Sequence, residues 1–342
     1  MDNAVGTTNG SDLKDWKTGL ILFGILEIIL GASFVLMVPG TMLSLAVATA
    51  LSRNQGGVPP MSAGSMLPGL VVYVLLGTWF IWMGIGSILA RRWARALVLV
   101  TAWIWLISGI VGLGFVAMFL PDLYGQMNKS GQIPQQILAM VKYVTIGVMT
   151  VFYVIIPGVL VLFYGSRHTK ATCERRDSHL RWTDHCPLSV LAVSLMAGSG
   201  AACLPVMGFY GWSVPFFGVI LGGAKGAGVV LASVLLYAYV AWGTYRLRLG
   251  AWWCAVWLVT AWGISNCLTF SRVSLMELYE KMHIPPQQLE VMRQTVLPME
   301  PWMVVFSGGW VVVALIYLLY VRRYFLPPAA SRNASIVAVV GR

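Results

Sequence analysis

Charge is what this sequence has least of. Asp, Glu, Lys and Arg make up 10% of the 342 residues and hydrophobic residues 58%, whereas soluble domains carry about 25% charged residues. A water-soluble fold of this size lacks the polar surface to cover so much apolar area. Acids are scarcest, 12 against 23 Lys and Arg, and there are only four His and five Cys. HExxH, GxSxG and CxxC are all missing, so the sequence offers no recognisable metalloprotease helix, hydrolase elbow or redox pair. Cys203, Cys254 and Cys267 fall in apolar runs and Cys173 and Cys186 in a polar segment, which leaves no extracellular disulfide framework to expect. The ten-residue alternation of outer-membrane strands is also missing, which excludes a barrel.

Long apolar runs are what the sequence has instead. "TGLILFGILEIILGASFVLMV" at 18–38 matches the roughly 20 residues a helix needs to cross a bilayer. Similar windows predict about eight spans, near 18–38, 68–90, 96–119, 144–165, 187–206, 226–245, 251–270 and 302–321. The expected fold is therefore all-α, a polytopic membrane helix bundle. Residues 1–17 are polar, and the run that follows is too long for a signal-peptide core, so it reads as a retained first span despite the small residues "AVATA" at 46–50.

The net charge of +11 follows the membrane rather than a nucleic acid. With a cytoplasmic N-terminus, 16 of the 23 basic residues lie in internal segments, among them Arg91, Arg92, Arg95, Arg246, Arg248, Arg322 and Arg323. That is the positive-inside pattern and predicts both termini in the cytoplasm of a cell that keeps the chain in its plasma or cytoplasmic membrane. The bilayer and other membrane-protein subunits are the expected partners, with no nucleic acid.

"LVTAW" occurs at 99–103 and again at 258–262. It belongs to an ordered series: Trp16, Ser33 and Pro39 match Trp182, Ser199 and Pro205, "WARALVLVTAW" matches "WWCAVWLVTAW", and "LYGQMNKSGQIPQQIL" matches "LYEKMHIPPQQLEV". The series predicts two tandem, parallel four-helix repeats at 18–165 and 187–321, flanked by tails at 1–17 and 322–342 and joined by a basic linker at 166–186. Because four is even, both copies enter from the same side and should be related by an axis along the membrane normal. Each copy should carry an external stretch with a short amphipathic piece, and a tight internal turn, "ARRWAR" or "TYRLRLG". Trp16, Trp93, Trp182, Trp252 and Trp253 beside these internal ends read as headgroup anchors.

Candidate sites are few. Tyr124, Gln135 and Gln136 in one copy and Tyr279, Gln287 and Gln288 in the other form a candidate external rim for a ligand or partner, although Pro134 at the first turn of a helix with wet glutamines explains the same residues locally. "GGAKGAG" at 222–228 resembles a phosphate loop only superficially: Lys225 is followed by Gly226, not Ser or Thr, and no strand is expected before it. Its small residues four apart, Gly222/Gly226 and Ala224/Gly228, suit close helix packing. The linker holds His168, Cys173, His179, His185 and Cys186, but their spacing matches no zinc module, and a solvated basic tether near anionic headgroups accounts for them. No metal or cofactor is expected.

Glu27 remains. It lies about ten residues into the first span, which reads as near mid-membrane, where a carboxylate costs about 2.5–3.5 kcal/mol on insertion scales. Gly24, Glu27 and Gly31 share a helix face, so the acid should point into the bundle. Ser108 and Tyr153 lie at similar counted depth and are its expected partners, forming with it a candidate intramembrane polar site. Val193 stands at the matching position of the second copy. The sequence thus reads as a non-enzymatic multi-pass membrane protein, an accessory or scaffold-like subunit built by duplication. The competing reading is a small-solute or proton-linked transporter with its site between the repeats near Glu27; Pro157-Gly158 supplies half of the broken-helix pattern such proteins use, and "VVVALIYLLY" lacks the other half.

Overall fold

The computed structural model describes the backbone of residues 14–55, 63–127, 134–282, 289 and 300–326, and the side chains of 14–51, 66–118, 120, 134–282, 289 and 304–326. Eight of its helices are long and apolar enough to cross a membrane, the architecture of a multi-pass integral membrane protein in a lipid bilayer. They fall into two compact units, Met1–Leu51 with Gly69–His185, and Ser52–Pro68 with Cys186–Arg342.

The first unit contains α1 (Lys17–Gln55) as far as Leu51, α2 (Ala63–Ile88) from Gly69 onward, α3 (Arg92–Met127) and a fourth span made of α4 (Gln135–Thr150), a π turn (Val151–Ile155) and α5 (Ile156–Gly165). At 39 residues, α1 is about 58 Å long, far longer than the apolar run at 18–38 suggested. Glycines let α1 and α2 approach backbone to backbone: a Cβ on Gly24 would sit 2.7 Å from the Gly84 carbonyl oxygen, and one on Gly31 2.7 Å from that of Gly77. The Trp79 indole of α2 donates to Thr101 Oγ1 of α3 at 3.3 Å. Pro157 has no N–H for the Tyr153 carbonyl at i−4, and the helix passes this point as the π turn rather than breaking. The Tyr153 carbonyl oxygen lies 2.1 Å from where a Cβ on Gly109 would be, so α3 and the π turn pack directly through that glycine.

The linker is not a solvated tether. It folds into α6 (Arg167–Arg176), capped by Ser166 Oγ accepting from the Thr169 N–H, and a 3-10 turn at Trp182–Asp184. Basic Arg175 and Arg176 close the last turn, where the helix dipole favours cations. The cap docks onto the α2–α3 turn through Asp177, whose side chain is 1% exposed. Arg181 donates to it from Nε at 3.0 Å and Nη2 at 2.9 Å. The Arg92 N–H donates to its Oδ2 at 3.3 Å, Arg92 Nε donates to its backbone carbonyl at 2.7 Å, and Arg91 lies 3.6 Å away. The Trp16 N–H, just before α1, donates to Thr172 Oγ1 of α6 at 3.0 Å, and Arg176 pairs with Asp15. Linker and helix ends therefore form one layer, because the acids of this segment match the arginines of the turn.

The second unit contains α7 (Leu188–Cys203), a 3-10 turn (Leu204–Tyr210), β1 (Val214–Phe216), β2 (Val219–Leu221), α8 (Gly223–Tyr245), α9 (Leu249–Phe270), α10 (Leu275–Lys281) and α11 (Glu300–Val321). Its stretch between first and second spans is a β-hairpin, not an amphipathic helix, and β2 does precede the glycine run. Phe217 and Gly218, the two turn residues, both have positive φ, the type I′ pattern of tight hairpins. Their free N–H groups donate to two hydroxyls one turn apart on α9, Phe217 to Ser265 Oγ at 2.9 Å and Gly218 to Thr269 Oγ1 at 3.0 Å. Gly226 is needed for the loop rather than for another helix: a Cβ there would lie 2.0 Å from the Trp212 carbonyl oxygen, whereas one on Gly228 would meet nothing within 4 Å. Trp252 is no headgroup anchor. It is 2% exposed in the core of this unit, and its Nε1 donates to the Leu318 carbonyl at 2.8 Å.

The turns α2–α3 and α8–α9 share one geometry. Ala90 and Leu247 both adopt left-handed φ, 51° and 54°. The Arg91 N–H donates to Gly86 O and Ala90 N–H to Ser87 O; Arg248 N–H donates to Gly243 O and Leu247 N–H to Thr244 O. These are two Schellman motifs with a non-glycine residue at the left-handed position. In each, the glycine faces an alanine of the next helix, Gly86 against Ala94 and Gly243 against Ala251.

The Arg181 guanidinium bonded to Asp177 holds that carboxyl below the ordinary carboxylate range. Its stabilising effect is therefore full above pH about 4 and lost as pH falls through the lowered folded-state value. Asp177→Asn should cost about 1–3 kcal/mol at pH 7, and its melting deficit relative to wild type should close as pH drops toward 3. Cys173, 1% exposed on α6 with its thiol pushed up to about 11 by burial, should resist maleimide in the wild type and react in the variant. An unchanged melting temperature with Cys173 still protected would refute the lock.

Candidate functional site

Among the described residues, Glu27 is the one acid buried among the apolar helices of the first unit, 2% exposed. Its partner is neither Ser108 nor Tyr153. Ser87 Oγ donates to Glu27 Oε2 at 3.0 Å, and the Tyr164 hydroxyl faces both the Glu27 carboxyl and Ser87. Tyr164 is fully buried, and its hydroxyl and Glu27 Oε1 are both left without a partner of good hydrogen-bond geometry. No Lys or Arg is among the groups that act on the Glu27 carboxyl.

The physical reason for the change of partners is register. Counting inward from helix ends assumed that all the helices begin at one level. Here α1 begins beside α6, held by Trp16 and Thr172, so ten residues bring Glu27 only to the last turn of α2, which carries Ser87, and the last turn of α5, which carries Tyr164. The acid belongs to the linker end of the bundle and not to its middle. Ser108 and Tyr153 are exposed; what the structure brings together there is Gly109 and the Tyr153 carbonyl. Ser87 carried no distinguishing signal in the sequence, since a serine in "MGIGSIL" reads as a small packing residue.

The rim residues are described in part, each within its own unit. Gln135 and Gln136 are exposed in the first turn of α4, following Pro134. Tyr279 is half-buried on α10, a helix capped by Ser274 and tied at its end by Ser213 Oγ donating to the Lys281 carbonyl at 3.0 Å. Tyr124 lies in the α3 backbone with its side chain outside the described residues, as are Gln287 and Gln288. Among the described residues, no group of three or more His, Cys, Asp and Glu side chains converges as a metal site would require. His168 stacks on Trp16, ring centroids 6.3 Å apart, while Cys173 and Cys186 are buried.

Comparison with known proteins finds no family model that matches this chain, and searches of curated proteins and of solved structures return no significant match.

The triad gives a graded expectation. Glu27→Gln keeps an acceptor for Ser87 and offers N–H donors toward Tyr164, so the melting temperature should change little. Glu27→Ala removes the acceptor of Ser87, leaving its hydroxyl unpaired beside that of Tyr164 in an apolar setting, and should cost about 1–3 kcal/mol. Equal melting of the Gln and Ala variants in detergent would show that the carboxyl does not hold these helix ends together.

Proposed function

We propose that this chain is a non-enzymatic, accessory or scaffold-like subunit of a cell membrane, built by duplication of a four-helix unit, with both termini and the linker cytoplasmic. The observation that carries this reading is what the buried acids do. Asp177 and Glu27 are the buried acids of the described residues, and each is engaged by side chains of its own unit at helix ends, Asp177 by arginines and Glu27 by Ser87. Their chemistry goes into fastening helices. A shallow groove on α1, lined by Ser33, Leu36, Met37, Gly40, Thr41 and Ser44, supports an assembly role: the Ser33, Thr41 and Ser44 hydroxyls are returned to carbonyls of α1 itself, leaving small residues where another membrane helix could approach. Duplication is supported by the paired Schellman turns.

The alternative, proton-linked transport through Glu27, draws on one observation, the unpartnered Glu27 Oε1 and Tyr164 hydroxyl.

Reconstitution separates the two. Liposomes holding the full chain and a trapped pH dye should report the same proton flux as empty liposomes, with Glu27→Gln indistinguishable from wild type. Flux that requires wild-type chain and vanishes in a folded Glu27→Gln variant would establish the alternative. Orientation is tested by cysteines at exposed Ser178 and Glu280 in a chain whose own cysteines are replaced: an impermeant maleimide should label the second and spare the first in intact cells, and the reverse would overturn the topology.

A further inference from the structure

The two matching turns neutralise their arginines differently. In the first unit, Arg91 and Arg92 meet Asp177, with Asp184 4.0 Å from Arg92. In the second, Arg248 occupies the position of Arg91 in the Schellman motif, yet the sequence has no acid between Cys186 and Met276 and none after Glu300. The end of this unit where α7 begins carries four exposed arginines: Arg246 and Arg248 at the α8–α9 turn, Arg322 and Arg323 in the short 3-10 turn (Arg322–Tyr324) that follows α11. Aromatic faces take the place of carboxylates. Arg248 lies 4.3 Å and Arg246 5.8 Å from the Trp242 ring centroid, and Arg322 lies 5.3 Å from that of Trp252. Arg323 donates to the hydroxyls of Tyr320 at 2.7 Å and Tyr324 at 2.9 Å.

These contacts orient the arginines without cancelling their charge. Against an indole, a guanidinium keeps its N–H edge free as a fork for a planar or tetrahedral oxyanion, a geometry that a lysine ammonium does not reproduce. The exposed rings among them, Trp242 and Tyr320, are of the amphipathic kind that settles at a membrane interface. We propose that this face, centred on Arg246, Arg248 and Arg322, docks the phosphodiester headgroups of anionic phospholipids in the leaflet at that end, doing in the second unit the neutralising work that Asp177 does in the first.

The test uses the full chain in neutral detergent, with lipid adducts counted by native mass spectrometry during titration with phosphatidylglycerol or phosphatidylcholine. Phosphatidylglycerol should be retained preferentially. Arg246→Gln/Arg248→Gln should weaken its retention by roughly fivefold per arginine removed, as should Arg322→Gln/Arg323→Gln, which provides a second reading should the first pair not fold. The Lys versions of both pairs should fall below wild type, and Arg272→Gln, beside the hairpin at Gly218, should match wild type. Equal retention of the two lipids, or Lys variants that bind as wild type, would overturn the proposal. So would displacement of the lipid by millimolar inorganic phosphate, which would make this a site for a soluble oxyanion.

Discussion

One carboxylate sets the register of the first unit. Asp177 is out of water and receives hydrogen bonds from Arg181 and from the Arg92 backbone, so the linker cannot leave the α2–α3 turn without stranding charges on both sides. A buried pair of this kind gains little over apolar packing, but removing one member leaves the other unpaired and is costly. That asymmetry suits a device for fixing position. With α6 held in place, Thr172 fixes Trp16, Trp16 fixes where α1 begins, and the start of α1 determines that Glu27 meets Ser87 and Tyr164.

The same helical hairpin appears twice with different surroundings. Both turns force a residue with a Cβ into a left-handed conformation that costs roughly 1 kcal/mol or more for a non-glycine residue, and both end on an arginine. In the first unit the arginine lies half-exposed beside Asp177, and in the second it stands exposed on an indole. The hairpins agree while other matched residues part company. "LVTAW" starts two residues further into α9 than into α3, about 200° around a helix; Ala102 is accordingly buried and Ala261 exposed. Pro39 stays within α1, whereas Pro205 falls in the 3-10 turn that ends α7.

Spans were legible because their signal is a sum over some 20 residues, which no single error of register can erase. The candidate site depended on register itself and was read less well. Glu27 was identifiable from its chemistry alone, a lone acid on a glycine face, but its partners depended on a tertiary contact 156 residues away in sequence, Trp16 to Thr172. The linker misled because basic composition suggests a solvated segment, while the decisive feature was the placement of Asp177 and Asp184. The hairpin was hidden because "VPFFGVIL" is as apolar as the spans on either side, and Phe-Gly is a weaker turn signal than Asn-Gly. Its positive-φ phenylalanine is tolerated because Ser265 and Thr269 receive the turn's N–H groups.

A membrane interior makes backbone satisfaction the governing constraint, since no water is available to a freed N–H or C=O. Two irregularities among the described residues bear on that rule. Pro157 removes a donor from the Tyr153 carbonyl, and the helix continues through a π turn packed on Gly109. The type I′ turn exposes two donors, and hydroxyls on α9 accept them. Side chains follow a milder version of the rule, which is why Glu27 sits at helix ends rather than in the middle of the span: there, last-turn groups such as Ser87 and Tyr164 are within reach, and a polar cluster costs less than it would at the bilayer centre.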